Sequence, residues 1–276
     1  MKQFTRARPD NRVAQRATLA LSETVNRLDR IHILAVVLAL GMTTYLAIEP
    51  SQNWLLLLLC GLAAIGTDGI IRHHPRATFE RLDDTALYLF VPVLFTLGLG
   101  IFLEEVASGY VSLALGLLSV IPYWAILYGE YESVDRSEPA YHTGRLLLNV
   151  STYVIAFLFF VTIYDFDLNL FTAAFAAGIV SVMLGIEVLR EEGMETTRTI
   201  LYALATGVLV AEAAWSTHFL PLEASAAAVF LLLTFYMIAG LMHTYLAERL
   251  NLRVAAEFAC VGVAGVAIIA LSRVYN

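Results

Sequence analysis

The chain has 276 residues, 59% of them hydrophobic and only 15% charged, with a mean hydropathy of +0.73 and a formal net charge of −7. Soluble domains run about 45–50% apolar and about 25% charged, so this composition excludes a single water-soluble core and makes the bilayer the natural solvent. The acidic balance does not by itself imply a basic partner, because in a membrane protein the side on which charges lie matters more than their sum.

Residues 1–30 carry Lys2, Arg6, Arg8, Arg12, Arg16, Arg27 and Arg30. No short apolar core followed by a small-residue cleavage site occurs here, so the segment does not read as a signal peptide. Within it Val13, Ala17, Leu21, Val25 and Leu28 recur at three- and four-residue steps. Such a stripe beside arginines fits an amphipathic helix lying on the membrane surface, and equally a cytosolic cap packed on a bundle. Dispersed basic residues without interleaved aromatics do not mark a nucleic-acid surface.

Apolar runs follow at 31–48, 53–71, 85–103, 109–129, 146–164, 168–189, 199–217, 222–246 and 254–272. Each approaches the roughly 20 residues that cross about 30 Å of hydrocarbon as a helix, and backbone amides in lipid must bond within their own segment. The runs are continuously apolar rather than alternating, which excludes a membrane β-barrel. The expected fold is an all-α integral membrane protein, a compact bundle of nine transmembrane helices arranged as four helical hairpins plus a C-terminal helix. Residues 31–276 then form a single multi-pass domain behind the basic N-terminal segment.

The basic residues orient this bundle. With a cytosolic N-terminus, the inner side holds the N-terminal segment together with Arg72, Arg76, Arg81, Arg136, Arg145, Arg190, Arg198, Arg249 and Arg253, leaving Arg273 alone outside. The outer turns carry acids instead: Glu49, Glu104, Glu105, Asp165, Asp167 and Glu223. This asymmetry is the positive-inside pattern, and it puts the C-terminus outside. The returning helices end in related polar clusters, ILYGEYE at 126–132, IEVLREE at 186–192 and YLAERL at 245–250. These fit a worn tandem repeat, or simply an acid followed by a base at each inward helix end. Small residues, among them Gly61, Gly66, Gly98, Gly100, Ala174, Gly178, Gly262 and Gly265, are the expected helix contacts.

Within the apolar runs, Glu212 stands out in VLVAEAAWSTHF. It lies about 21 Å along its helix from Arg198, at 1.5 Å per residue, with no basic residue near it in sequence. An ionisable group at that depth is costly and points to function, here proton coupling or contact with a polar ligand. Asn149 and Thr152 enter the fifth helix together and complete a candidate intramembrane polar site. At the cytosolic face, Asp68 precedes Arg72 by one turn, as an i, i+4 pair. Asp68, His73, His74 and His243 make a candidate cluster there, although no HxxxH or HExxH spacing marks a metal. Glu187 with Arg190, and Glu257 with Arg253, read as interface ion pairs. In the central loop, Tyr123, Trp124, Tyr128, Tyr131 and Tyr141 read as an aromatic belt at headgroup level.

No Walker motif, Gly-rich dinucleotide loop, GxSxG or paired-aspartate motif is present, and the only lysine, Lys2, precedes every apolar run. No metal, cofactor or nucleic acid is expected. Two readings lead, with an intramembrane enzyme acting on lipid third because it lacks a matching residue set. One is a small transporter or permease in a bacterial cytoplasmic membrane, with its site near Glu212. The other is a non-catalytic assembly subunit that meets other membrane proteins through the N-terminal segment or the 130–145 loop.

Overall fold

A computed structural model describes residues 11–48, 52–75, 82–137, 139–166, 168–190, 196–220 and 222–275, with the side chains of 11–28, 82–84, 196 and 268–275 left aside. Lys2, Arg6, Arg8, Glu49, Arg76, Arg81 and Asp167 therefore lie outside the described residues, as do the side chains of the Val13–Leu28 stripe and of Arg12, Arg16, Arg27 and Arg273.

All the secondary-structure elements among the described residues are helices: α1 (Asn11–Ala47), α2 (Asn53–Arg72), α3 (Leu82–Val106), α4 (Tyr110–Leu118), α5 (Val120–Glu132), α6 (Tyr141–Asp165), α7 (Leu170–Leu189), α8 (Thr196–Thr217), α9 (Ala224–Leu246) and α10 (Leu252–Tyr275). Eight segments among them are long and apolar enough to cross a membrane: Asp29–Ala47, Asn53–Arg72, Thr85–Val106, Tyr110–Glu132, Tyr141–Asp165, Leu170–Leu189, Thr197–Thr217 and Ala224–Leu246. The protein is thus a multi-pass helical membrane protein. α10 is helical over the last expected run but is not one of these eight segments, so eight of the nine expected spans are found among the described residues.

Local chemistry explains the punctuation. Asn169 caps α7 by accepting from Thr172 N at 3.1 Å, and Asn251 caps α10 by accepting from Val254 N at 2.9 Å. The span Tyr110–Glu132 is broken into α4 and α5 at Ser119. Pro122 has no N–H to give the Leu118 carbonyl, and its ring crowds that carbonyl. The main chain continues across the break through Tyr123 N to Ser119 O at 3.0 Å.

α6 is the central helix, packed against α3, α5, α7 and α9. The expected hairpins are only partly how the helices pair. α3 and the α4–α5 span barely touch; α1 lies against α4 and α5 instead, and α3 pairs with α2 and α6. Small residues decide this. A Cβ on Gly116 of α4 would stand 3.0 Å from the Thr43 Cα of α1, so only glycine lets those two backbones meet. Gly66, Gly98, Gly100, Gly178, Gly262 and Gly265 likewise face close neighbours, whereas Gly61 has nothing within 4 Å. The aromatic belt also differs from expectation. Tyr123, Tyr131 and Tyr141 are buried, with Tyr123 Oη donating to Thr96 Oγ1 at 3.2 Å.

Candidate functional site

Four charged side chains meet inside the bundle where α5 and α7 end and α6 begins. α5 brings Glu130, α6 brings Arg145, and α7 brings Glu187 followed by Arg190. Their burial follows from two glycines. A Cβ on Gly129 would stand 3.0 Å from Gly144 O, and one on Gly144 would stand 3.1 Å from Gly129 O. α5 and α6 therefore approach at backbone distance, and the residues next in sequence, Glu130 and Arg145, are carried inside.

Arg145 Nη1 donates to Glu187 Oε1 at 2.6 Å, and its Nη2 donates to the Glu187 carbonyl at 2.9 Å, satisfying an acceptor in the last turn of α7. Arg190 Nη2 reaches both Glu187 Oε1 and Glu130 Oε2 at 3.0 Å. Its guanidinium also lies over the Tyr88 ring of α3, 4.1 Å from the centroid. Glu130, Glu187 and Arg145 are 0%, 1% and 3% exposed. Burial opposes the Arg190 charge, but the Glu187 and Glu130 carboxylates outweigh it and raise the guanidinium above its ordinary value. Two carboxyl groups and two guanidiniums thus meet in one buried place. Four atoms of this quartet find no partner among the described residues: Glu130 Oε1, Glu187 Oε2, Arg145 Nε and Arg190 Nη1.

Sequence reasoning missed this quartet. Glu187–Arg190 reads there as an interface pair, and Arg145 only as a topology marker. The usable signal was a glycine directly before a charge at two successive helix ends.

The residues singled out from sequence are distributed differently. Asp68 forms the expected pair with Arg72 at 2.7 Å and also accepts from Thr85 Oγ1 at 2.5 Å. His73 Nδ1 contacts the Gly69 carbonyl at 2.5 Å and is exposed, while His74 is buried against the Tyr131 ring, 4.7 Å between centroids. α2 packs on α1, α3 and α5, whereas α9 packs on α6, α7, α8 and α10. His243 is therefore not brought to Asp68 and the two histidines, and no metal-holding group of His, Cys, Asp and Glu occurs among the described residues. Arg253 and Glu257 pair at 3.4 Å on an exposed face of α10.

Glu212, Asn149 and Thr152 do not share a site. Thr152 is buried and donates to the Leu148 carbonyl at 2.9 Å, and Asn149 Oδ1 is buried without a partner among the described residues. α6 and α8 start at the same end of the bundle. Asn149 lies about 12 Å along its helix and Glu212 about 24 Å along its own, at 1.5 Å per residue. Glu212 is exposed on the outer face of α8, in an open groove of about 440 Å³ with Phe171, Phe175, Val208, Trp215 and Ser216. Ser216 Oγ donates to the Glu212 backbone carbonyl, and among the described residues the carboxylate itself makes no hydrogen bond or ion pair.

No curated protein and no solved structure matches this chain. One family model matches residues 13–272, so the chain belongs to the family described as protein of unknown function DUF5656.

Proposed function

We propose that this is a non-catalytic membrane subunit that holds the transmembrane helix of another polypeptide against the α7–α8 face. The observation that carries the reading is the position of Glu212. It lies within the span Thr197–Thr217, faces outward, and is flanked by the exposed aromatic rings of Phe171, Phe175 and Trp215. Lipid tails offer a carboxyl group no hydrogen-bond donor, and an ionised acid inside the hydrocarbon is costly. A neighbouring helix carrying Arg, Lys, Asn or Gln supplies the donor, while the three rings supply apolar contact around it.

The buried quartet supports a static role. It joins α3 and α5 to α6 and α7, so relative motion of the two halves would part charges held out of water. The transport reading needs Glu212, Asn149 and Thr152 around one site, and their separation leaves it without support. In this proposal the membrane is a bacterial cytoplasmic membrane, with the N-terminus cytosolic and the C-terminus outside, as the distribution of arginines favours.

Native mass spectrometry of the protein, mildly extracted from its own membrane, tests the proposal. The expected species is the chain together with a second membrane polypeptide. Glu212→Ala should lower the retained partner about tenfold, the scale of one charge-assisted hydrogen bond. Glu212→Gln, which keeps an acceptor, should fall between. A chain that is alone in wild type and variant alike would sink the idea. Deleting residues 1–28 is the complementary arm: loss of the partner from an inserted protein would move the contact to the basic segment.

A further inference from the structure

At the end of the bundle where α8 starts and α9 finishes, a cavity of about 640 Å³ is lined by Arg198, Leu201, Tyr202, Tyr245, Glu248 and Leu250, among others. We propose that it binds the headgroup of an aminophospholipid, a phosphate and a primary ammonium joined by a short linker.

The two charges are the first reason. Arg198 stands in the first turn of α8, and Glu248 stands just beyond the last residue of α9. Helix N-termini favour acids and C-termini favour bases, so each side chain has the sign its own helix end disfavours. Favourable interaction with the helix dipole does not explain either one. Each instead reinforces the potential of its helix end, positive at α8 and negative at α9. Both line the same cavity, yet among the described residues neither makes an ion pair with the other or with any other group. A zwitterion placed across the cavity satisfies both, its phosphate at Arg198 and its ammonium at Glu248.

The backbone and the walls agree with this. Glu248 is the one non-glycine residue with positive φ among the described residues, at 54°, in the position after a helix where glycine is usual. The turn is closed by Glu248 N to Tyr245 O and Arg249 N to Thr244 O, both at 3.1 Å, and neither bond needs a glutamate side chain. The cavity also lies at the limits of the spans Thr197–Thr217 and Ala224–Leu246, the depth of headgroups. Tyr202 and Tyr245 meet there, ring centroids 6.2 Å apart, as tyrosines do at membrane interfaces. Leu201 and Leu250 are exposed beside them and give an apolar wall for the start of the acyl chains.

The test is lipid titration of the delipidated full chain in detergent, read by native mass spectrometry. Phosphatidylethanolamine should be retained about tenfold more than phosphatidylglycerol, which lacks the ammonium. Arg198→Ala and Glu248→Gly should each remove that preference. The second variant suits the positive φ, so its melting temperature should not fall, which separates lipid loss from misfolding. Equal retention of phosphatidylglycerol would overturn the proposal. Equal retention of phosphatidylcholine, whose ammonium has no N–H, would overturn the Glu248 contact. Free phosphoethanolamine should not bind at concentrations where the lipid does; binding as tight as the lipid's would overturn the assignment to a membrane lipid.

Discussion

Arg145→Ala is expected to destabilise the protein by about 3–5 kcal/mol, the usual cost of removing one partner from a buried ion pair. The substitution leaves the Glu187 carboxylate, 1% exposed, without its 2.6 Å donor and the Glu187 carbonyl without its 2.9 Å donor. The Glu187 carboxylate is then left with Arg190 Nη2 at 3.0 Å as its one remaining donor among the described residues. Glu187→Gln should also destabilise, in this case by leaving a positive excess shared between Arg145 and Arg190. Arg145→Lys should fall between wild type and alanine, because a lysine keeps the charge but cannot serve the carboxylate and the carbonyl with one planar fork. The informative control is the double variant Arg145→Met with Glu187→Met. It removes both charges at once, leaves Arg190 paired with Glu130, and should recover most of the loss, since apolar replacement of a whole buried pair is often neutral. Thermal unfolding in detergent gives the order of the variants even where unfolding is irreversible. Single variants that melt with wild type would mean that water enters the quartet and screens it.

The sequence makes the membrane class legible because one property, apolar length, decides it. Nine runs approach the length that crosses hydrocarbon; among the described residues eight of them qualify as spans, seven as single helices and one as the broken α4–α5 pair. The break at Ser119 was also within reach, since Pro122 removes one donor at a known offset. Helix pairing was not. A short outer turn suggested that α3 and the α4–α5 span form a hairpin, but the turn length only limits where the helices can go. The glycine at 116 lets α1 take the place beside α4 instead. The quartet was hidden for a related reason: its contacts join residues 42 and 60 positions apart, so each charge looked in sequence like an interfacial one. Glu212 shows the converse. Its depth was readable from helix rise, but whether it faces inward depends on which side of α8 meets α7, and that side is set by Gly207 and Ala211.

Among the described residues α7 and α8 are the most extensively packed pair of helices, and their contact gives the second large effect. A Cβ on Gly207 would lie 2.7 Å from the Gly178 carbonyl oxygen and 2.3 Å from Val182 Cγ2. Val182 can turn away, but a backbone carbonyl inside a helix cannot, so α7 and α8 must separate. Gly207→Ala should therefore destabilise by about 1–3 kcal/mol although alanine is the better helix former, and Gly207→Leu by more. Gly61→Ala makes the matched comparison. Nothing lies within 4 Å of that Cβ, so only the helix-propensity gain remains, up to about 1 kcal/mol in the stabilising direction. The two substitutions are chemically identical and should shift the melting temperature in opposite directions. Because α7 and α8 also form the floor of the Glu212 groove, Gly207→Leu should release the proposed partner helix with Glu212 intact, whereas Gly61→Ala should not. If Gly207→Ala behaved as Gly61→Ala does, the two backbones would not be in contact, and the groove would lose the rigid floor on which a partner helix depends.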